Sequence, residues 1–106
     1  MRILLACAAG MSTSFLVSKM KKVAEAQGKN YDIWATDVDS IYDEDKEFDL
    51  ILIGPQVADR KAEVKEIANE FGVPFDIIDK ENYGKVNGEA VLKQAEEIYN
   101  SFYKKG

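Results

Sequence analysis

Two stretches of consecutive apolar residues, Ile3-Leu4-Leu5-Ala6 and Leu50-Ile51-Leu52-Ile53, stand out from an otherwise mixed chain. Neither alternates, and each is short, which predicts strands of a parallel sheet covered by helices on both faces. The first strand is expected over Arg2 to Ala6 and the second apolar one over Asp49 to Gly54, ended by Gly54-Pro55. Between them, Tyr31-Asp32-Ile33-Trp34-Ala35-Thr36 alternates polar and apolar positions, as a strand at a sheet edge does. Pro74-Phe75-Asp76-Ile77-Ile78 tolerates a proline only at its start, which suits the opposite edge.

Helical periodicity fills the gaps. Phe15, Leu16, Met20, Val23 and Ala24 recur on one face of a helix expected from Ser12 or Thr13 to about Gln27, stopped by Gly28, with Lys19, Lys21, Lys22 and Glu25 on its solvated side. Gln56, Val57 and Ala58 read as a loop, and Asp59 as the cap of a second helix with Ala62, Val64, Ile67, Ala68 and Phe71 inward, closing at Gly72. Asp79 to Gly88 reads as turns. A last helix then turns Val91, Leu92, Ala95, Ile98, Tyr99 and Phe102 inward, with Lys104 and Lys105 at the negative end of its dipole. The acidic stretch from Asp37 to Asp49 reads as a crossover with at most one short helix. It lacks the glycine and terminal glutamate of a calcium-binding loop, so no metal site is expected.

Strand and helix alternating in this way, with no internal repeat and no linker, predicts a single domain over residues 1–106. Its fold class is α/β, a doubly wound four-stranded parallel sheet of order 2-1-3-4 with helices on both faces. Ligands of such sheets bind beyond the carboxyl ends of the strands, where the winding direction reverses, here between the first and third strands. Two loops meet there, Cys7 to Ser14 and Gly54 to Asp59.

Composition narrows the chemistry. A net charge of −5 argues against a nucleic-acid binder, which carries a basic footprint. No apolar run approaches the roughly 20 residues of a membrane span, and Gly10, Ser12, Thr13 and Ser14 break the form of a signal peptide. The chain is therefore expected in the cytoplasm, without insertion into the membrane. One cysteine permits no internal disulfide, and the absence of histidine removes the commonest general base and phosphorylatable imidazole. Any such imidazole belongs to another molecule.

The lone cysteine stands at a strand-to-helix turn, Cys7-Ala8-Ala9-Gly10-Met11-Ser12-Thr13-Ser14. A loop winding into a helix N-terminus offers converging N–H donors to a tetrahedral oxyanion. Gly10 permits the tight turn, and Ser12, Thr13 and Ser14 add hydroxyls. The same donors favour a thiolate, making Cys7 a candidate nucleophile. The bland alternative is a packed cysteine beside ordinary helix caps. Neither a Walker A loop nor a dinucleotide fingerprint is present. The loop and the order of elements resemble the low-molecular-weight tyrosine phosphatases, which place an arginine after a cysteine and five residues. Here that position is Thr13, and without the guanidinium fork the loop suits holding a phosphoryl group better than hydrolysing it. No general acid for a leaving group is evident, although Asp59 and Asp79 carry the right chemistry.

Cys7 to Ser14, then Gly54-Pro55-Gln56-Val57, then Tyr83-Gly84-Lys85-Val86-Asn87-Gly88 resemble, in order, three signatures of the IIB components of the bacterial sugar phosphotransferase system, lactose/cellobiose/chitobiose class. The resemblance implies that Cys7 accepts a phosphoryl group from a phosphohistidine of a IIA protein and passes it to a sugar held by the membrane-embedded IIC component, with no cofactor. It also implies that Ala8, Ala9, Gly10, Met11, Ser12, Thr13 and Ser14 cradle the phosphate. Gly54, Pro55, Gln56, Val57 and Asp59 would form the neighbouring loop, with Gln56 nearer to partner recognition than to chemistry. Ala8, where the family often has serine, and Ala58-Asp59, where it often has a basic and an aromatic residue, depart from the pattern. Tyr83 to Gly88 is read equally well as a turn capping the last helix. The alternatives in other classes are a cysteine phosphatase and a non-enzymatic regulatory domain of the same fold.

Overall fold

The computed structural model describes residues 1–8 and 13–104. Strands β1 (Arg2–Cys7), β2 (Asp32–Asp37), β3 (Leu50–Ile53) and β4 (Phe75–Ile77) form one parallel sheet in the order β2-β1-β3-β4. Helices α1 (Thr13–Ala26), α2 (Lys61–Phe71), α3 (Lys80–Gly84) and α4 (Gly88–Tyr103) complete the chain, with 3-10 helices over Val38–Asp43 and Pro55–Arg60.

The unbroken apolar runs are explained by the two layers. Successive side chains of a strand point to opposite faces, so Ile3, Leu5, Leu50 and Leu52 join a core with Leu16, Met20, Val91 and Leu92 of α1 and α4. Leu4, Ala6, Ile51 and Ile53 join a second core with Val38, Ile41, Val64 and Ile67. Each of these leucine, isoleucine, valine and methionine side chains contributes about 2 kcal/mol by leaving water. β2 stands at the sheet edge as expected, but its burial does not alternate: Asp32 is exposed and Ile33 buried, while Ala35, on the same face as Ile33, is exposed. Helices α1 and α2 stop at Gly28 and Gly72, both at positive φ.

Several expectations at the ends of elements are corrected. Phe15 is 68% exposed, because the buried stripe of α1 runs through Thr13, Leu16, Val17, Met20 and Ala24, and Phe15 lies one position, about 100° of helix, away from it. Ala62 is exposed for the same reason, off the stripe Val64, Ile67 and Ala68. Phe71 is partly exposed at the last turn of α2, stacked on Phe48 and Tyr42. Phe102 is exposed too, because α4 runs to the lower rim of the sheet, where the Tyr103 hydroxyl donates to the Asp49 carbonyl at 2.7 Å.

Gln56 to Ala58 form a 3-10 helix rather than a loop. Pro55 presets its first turn. The segment runs into α2 without a side-chain cap, so Asp59 does not cap that helix; Arg60 stands at the junction and binds Asp39 and Glu63. The turns expected from Asp79 to Gly88 include the five residues of α3, capped by the Asp79 carboxylate accepting from the Asn82 N–H. Asn87 caps α4 in the same way. Lys104 stands at the C-cap of α4; Lys105 lies outside the described residues.

The edge strand is tied to α4 by a polar cluster. Glu96 accepts from the Tyr31 hydroxyl at 2.7 Å and pairs with Lys29. Burial, reinforced by the hydrogen bond to Glu96, pushes the Tyr31 phenol up to about 12. Burial alone would raise the Glu96 carboxyl, but the hydrogen bonds from Lys29 and Tyr31 outweigh it and hold the group below its usual range. Asp49 is likewise held low, first by its hydrogen bond from Arg2.

The signs follow directly. The two depressed carboxylates bind fewer protons folded than unfolded, so their stabilisation is present above the ordinary carboxylate range and is lost as pH falls through and below it. The raised phenol stabilises the fold below about pH 10 and ceases to between about 10 and 12. Ultraviolet titration is expected to show Tyr31 ionising near pH 12, with Tyr42 and Tyr103 also above the ordinary phenol range, raised first by the hydrogen bond to Glu70 and by burial respectively. The Tyr31 step should vanish in Tyr31→Phe and move down in Glu96→Gln. An ordinary Tyr31 titration with the circular dichroism unchanged would contradict the cluster.

Candidate active site

Cys7 is the last residue of β1, the strand flanked by β2 on one side and β3 on the other, and so stands at the point where the winding reverses. Its thiol is nearly buried, with Sγ 3.8 Å from the Thr36 carbonyl oxygen of β2. The Gly54 N–H at the end of β3 donates to the Ala6 carbonyl at 2.9 Å, which holds the second loop against the first. The described residues therefore place Cys7 and Ala8, where the first predicted loop begins, and the second predicted loop at the carboxyl end of the sheet.

Thr13, at the first turn of α1, is the one polar residue among the buried ones described, at 3% exposure. Its Oγ1 lies 3.4 Å from the Tyr83 hydroxyl oxygen, and that oxygen accepts a hydrogen bond from Gln56 Nε2 at 2.7 Å. Three segments far apart in sequence thus converge: the start of α1, the 3-10 helix after β3, and α3 after β4. No acidic side chain stands in the first turn of α1, so the positive end of its dipole is unopposed there.

The remaining predicted positions divide. Ala8 packs at the margin of the α2-side core, and Val57 lies within that core. Ser14 is exposed and lines a groove with Val17, Ser18, Lys21, Ile33, Trp34 and Ala35. Pro55 opens the 3-10 helix, and Asp59 is exposed near its end. Ala9, Gly10, Met11 and Ser12, four members of the expected cradle, lie outside the described residues. Asp79 is engaged as the α3 cap. Among the described residues no group of His, Cys, Asp and Glu could hold a metal ion.

Two residues near the site escape a reading of the sequence alone. Tyr83 sits in the third signature, but nothing local distinguishes a site tyrosine from a turn tyrosine. Asp37 stands beside Cys7 in the β1–β2 register, its carboxylate accepting from Ser40 Oγ at 3.1 Å. Only strand pairing brings it there.

A family model described as "PTS system, Lactose/Cellobiose specific IIB subunit" matches residues 2–94. The chain belongs to this family. It is a sugar-phosphotransferase component of the lactose/cellobiose class. This IIB chain is 48% identical over 103 residues to the galactose-specific EIIB component of Lactococcus lactis subsp. cremoris, covering 92% of this chain and 95% of that one. The oligo-beta-mannoside-specific EIIB component of Bacillus subtilis is 39% identical over 94 residues, covering 89% and 91%.

Among solved structures, the cellobiose-specific IIB protein of Borrelia burgdorferi superposes with a TM-score of 0.79 at 38% identity, over 96% of this chain and 94% of that one. The lactose-specific IIB domain of Streptococcus pneumoniae does so at 0.82 with 21% identity, over 93% and 97%, a likeness of fold. The doubly wound α/β fold with sheet order 2-1-3-4, expected from the pattern of elements, is thereby shown. No helix among the described residues is long and apolar enough to cross a membrane.

Proposed function

We propose that Cys7 is the residue of this IIB chain that carries the phosphoryl group, received from a phosphohistidine of a IIA protein and passed to a sugar held by a membrane IIC component. The observation that carries the reading is the position of the only cysteine at the carboxyl end of a central strand, at the winding reversal, in a chain with no histidine of its own. The Cys7 sulfur attacks phosphorus as the thiolate, the S–P bond forms, and the P–N bond breaks with its electron pair returning to the imidazole. In the second transfer a sugar hydroxyl oxygen attacks phosphorus, the O–P bond forms, the S–P bond breaks with its electron pair returning to sulfur as the thiolate, and the hydroxyl proton passes to water. Backbone donors of the loop from Ala8 to Ser14 and the end of α1 stabilise the charge on the transferred oxygens. The sugar is a β-linked disaccharide or oligosaccharide, and the exchange takes place in the cytoplasm.

The test is incubation with a phosphorylated IIA protein of this class, followed by intact-mass and peptide mass spectrometry. One phosphoryl group on Cys7 is expected. Label on any other residue, or none, would overturn the reading. Thr13 at the phosphatase arginine position argues against hydrolysis as the main activity.

Phe15 supports a docking role beside this site. It stands in the first turn of α1, two residues after Thr13, and is 68% exposed, whereas Leu16, Val17, Met20 and Ala24 of the same helix are buried. Exposed aromatic anchors of this kind carry a large share of binding energy at interfaces. Phe15→Ala is expected to slow transfer from phosphorylated IIA by roughly tenfold with the melting temperature unchanged. Wild-type transfer in this variant would remove Phe15 from the docking face.

A further inference from the structure

We propose that Tyr83 is a positioning residue that aims the Thr13 hydroxyl, as a donor, at the phosphoryl group carried by Cys7. The inference rests on the reading of Cys7 as the carrier, and follows from the order of donors and acceptors along Gln56, Tyr83 and Thr13.

An amide nitrogen can only donate, so the 2.7 Å contact makes the Tyr83 oxygen the acceptor from Gln56 Nε2. Tyr83 has one proton of its own, and among the described residues its other hydrogen-bonding neighbour is Thr13 Oγ1 at 3.4 Å. With the phenol proton turned toward Oγ1, the Thr13 proton is released from that contact and is available to a phosphoryl group on Cys7. A buried threonine hydroxyl at a helix start otherwise bonds to nearby backbone, which would engage that proton. The contact is loose at 3.4 Å. Drawing the Thr13 proton onto an anion makes its oxygen a better acceptor for the phenol and shortens the contact, since chained hydrogen bonds reinforce one another.

The geometry around Gln56 supports the same direction. Its side chain folds back over Gly54, where an added Cβ would lie 2.4 Å from Oε1. Glycine at this position leaves the amide room to lie against the loop with its nitrogen toward Tyr83. Thr13 is also the position that the phosphatases fill with arginine. A hydroxyl whose proton is directed by Tyr83 is a weaker, uncharged donor there, suited to a phosphoryl group that must leave again.

The experiment uses the full chain with a phosphorylated IIA protein as donor. It reads the acceptance rate, the lifetime of the Cys7 phosphoryl group and its phosphorus-31 chemical shift in wild type, Tyr83→Phe, Thr13→Val, the double variant and Thr13→Ser. Tyr83→Phe and Thr13→Val are each expected to slow acceptance roughly tenfold and to shift the phosphorus resonance. The double variant should be little slower than either single one, because both break one chain. Thr13→Ser, which keeps the hydroxyl, should restore most of the rate.

Wild-type rate and resonance in Tyr83→Phe would overturn the proposal, as would multiplying effects in the double variant. Failure of the wild-type chain to accept on Cys7 overturns the underlying carrier reading itself, and is seen in the first sample. Circular dichroism of the variants separates a lost fold from a lost donor, and the resonance of whatever fraction is labelled still reports the donor.

Discussion

Cys7→Ser is expected to accept no measurable phosphoryl group from a phosphorylated IIA protein, a loss of at least about a thousandfold in rate relative to the wild-type chain. An alkanol is far less acidic than a thiol, whose ordinary pKa is about 8.5, so serine at neutral pH offers almost none of the anionic nucleophile. Neither histidine nor a second cysteine is present to substitute. The substitution changes one atom at a nearly buried strand end, and a serine hydroxyl can donate to the same Thr36 carbonyl that faces the sulfur. The melting temperature should therefore stay within a few degrees of wild type, which separates lost chemistry from lost fold. Intact-mass spectrometry after incubation with the donor checks the loss. Retained labelling on another residue of Cys7→Ser would sink the assignment of Cys7.

Gly88→Ala is expected to have the largest effect on stability. Gly88 opens α4 where that helix crosses α1, and it is buried. A Cβ built there would lie 2.7 Å from both the Lys19 carbonyl carbon and the Lys19 Cβ, and 2.9 Å from the Met20 nitrogen. Two of these three atoms are backbone, so no rotamer change relieves the clash. The helices must separate, loosening the contact of Leu16 and Met20 with Val91 and Leu92.

Overpacking of a core costs about 3 kcal/mol at the upper end of its usual range, against about 1 kcal/mol that alanine gains over glycine in helix propensity. The net loss of about 2 kcal/mol lowers the melting temperature of a chain of this size by roughly 10 °C. Thermal unfolding followed by circular dichroism reads it directly. An unchanged or higher melting temperature would show that α1 and α4 can part at no cost.

Gly88 also shows what the third signature does. Tyr83 to Gly88 could be read from the sequence as a helix-capping turn or as part of the site; the structure shows the capping, and the role proposed for Tyr83 would add the second. Asn87 caps α4 and Gly88 admits α1, while Tyr83, five residues before Gly88, reaches Gln56 and Thr13. Phe15 teaches the converse. Its apolar character placed it on the inner face of α1, yet Thr13, a polar residue, takes the buried position that opens the stripe. Spacing alone does not rank a phenylalanine against a threonine two residues earlier. The bonding partner that lets threonine be buried, Tyr83, stands 70 residues away.

The sequence by itself determined the elements whose cause is local. The unbroken Ile3 to Ala6 and Leu50 to Ile53 runs required a sheet covered on both faces, the alternation in the β2 sequence pointed to an edge, and the cysteine at a strand-to-helix turn marked a candidate nucleophile. These follow from side-chain period and backbone preference, which act over a few residues. The tertiary structure alone decided what depends on distant partners: the exposure of Phe15, Phe71 and Phe102, the place of Asp37 beside Cys7, the crossing of α1 over Gly88, and the Gln56, Tyr83 and Thr13 chain. Parallel strands pair residues about 30 to 50 positions apart, and no local pattern carries the register that brings their ends, and the loops beyond them, to one site.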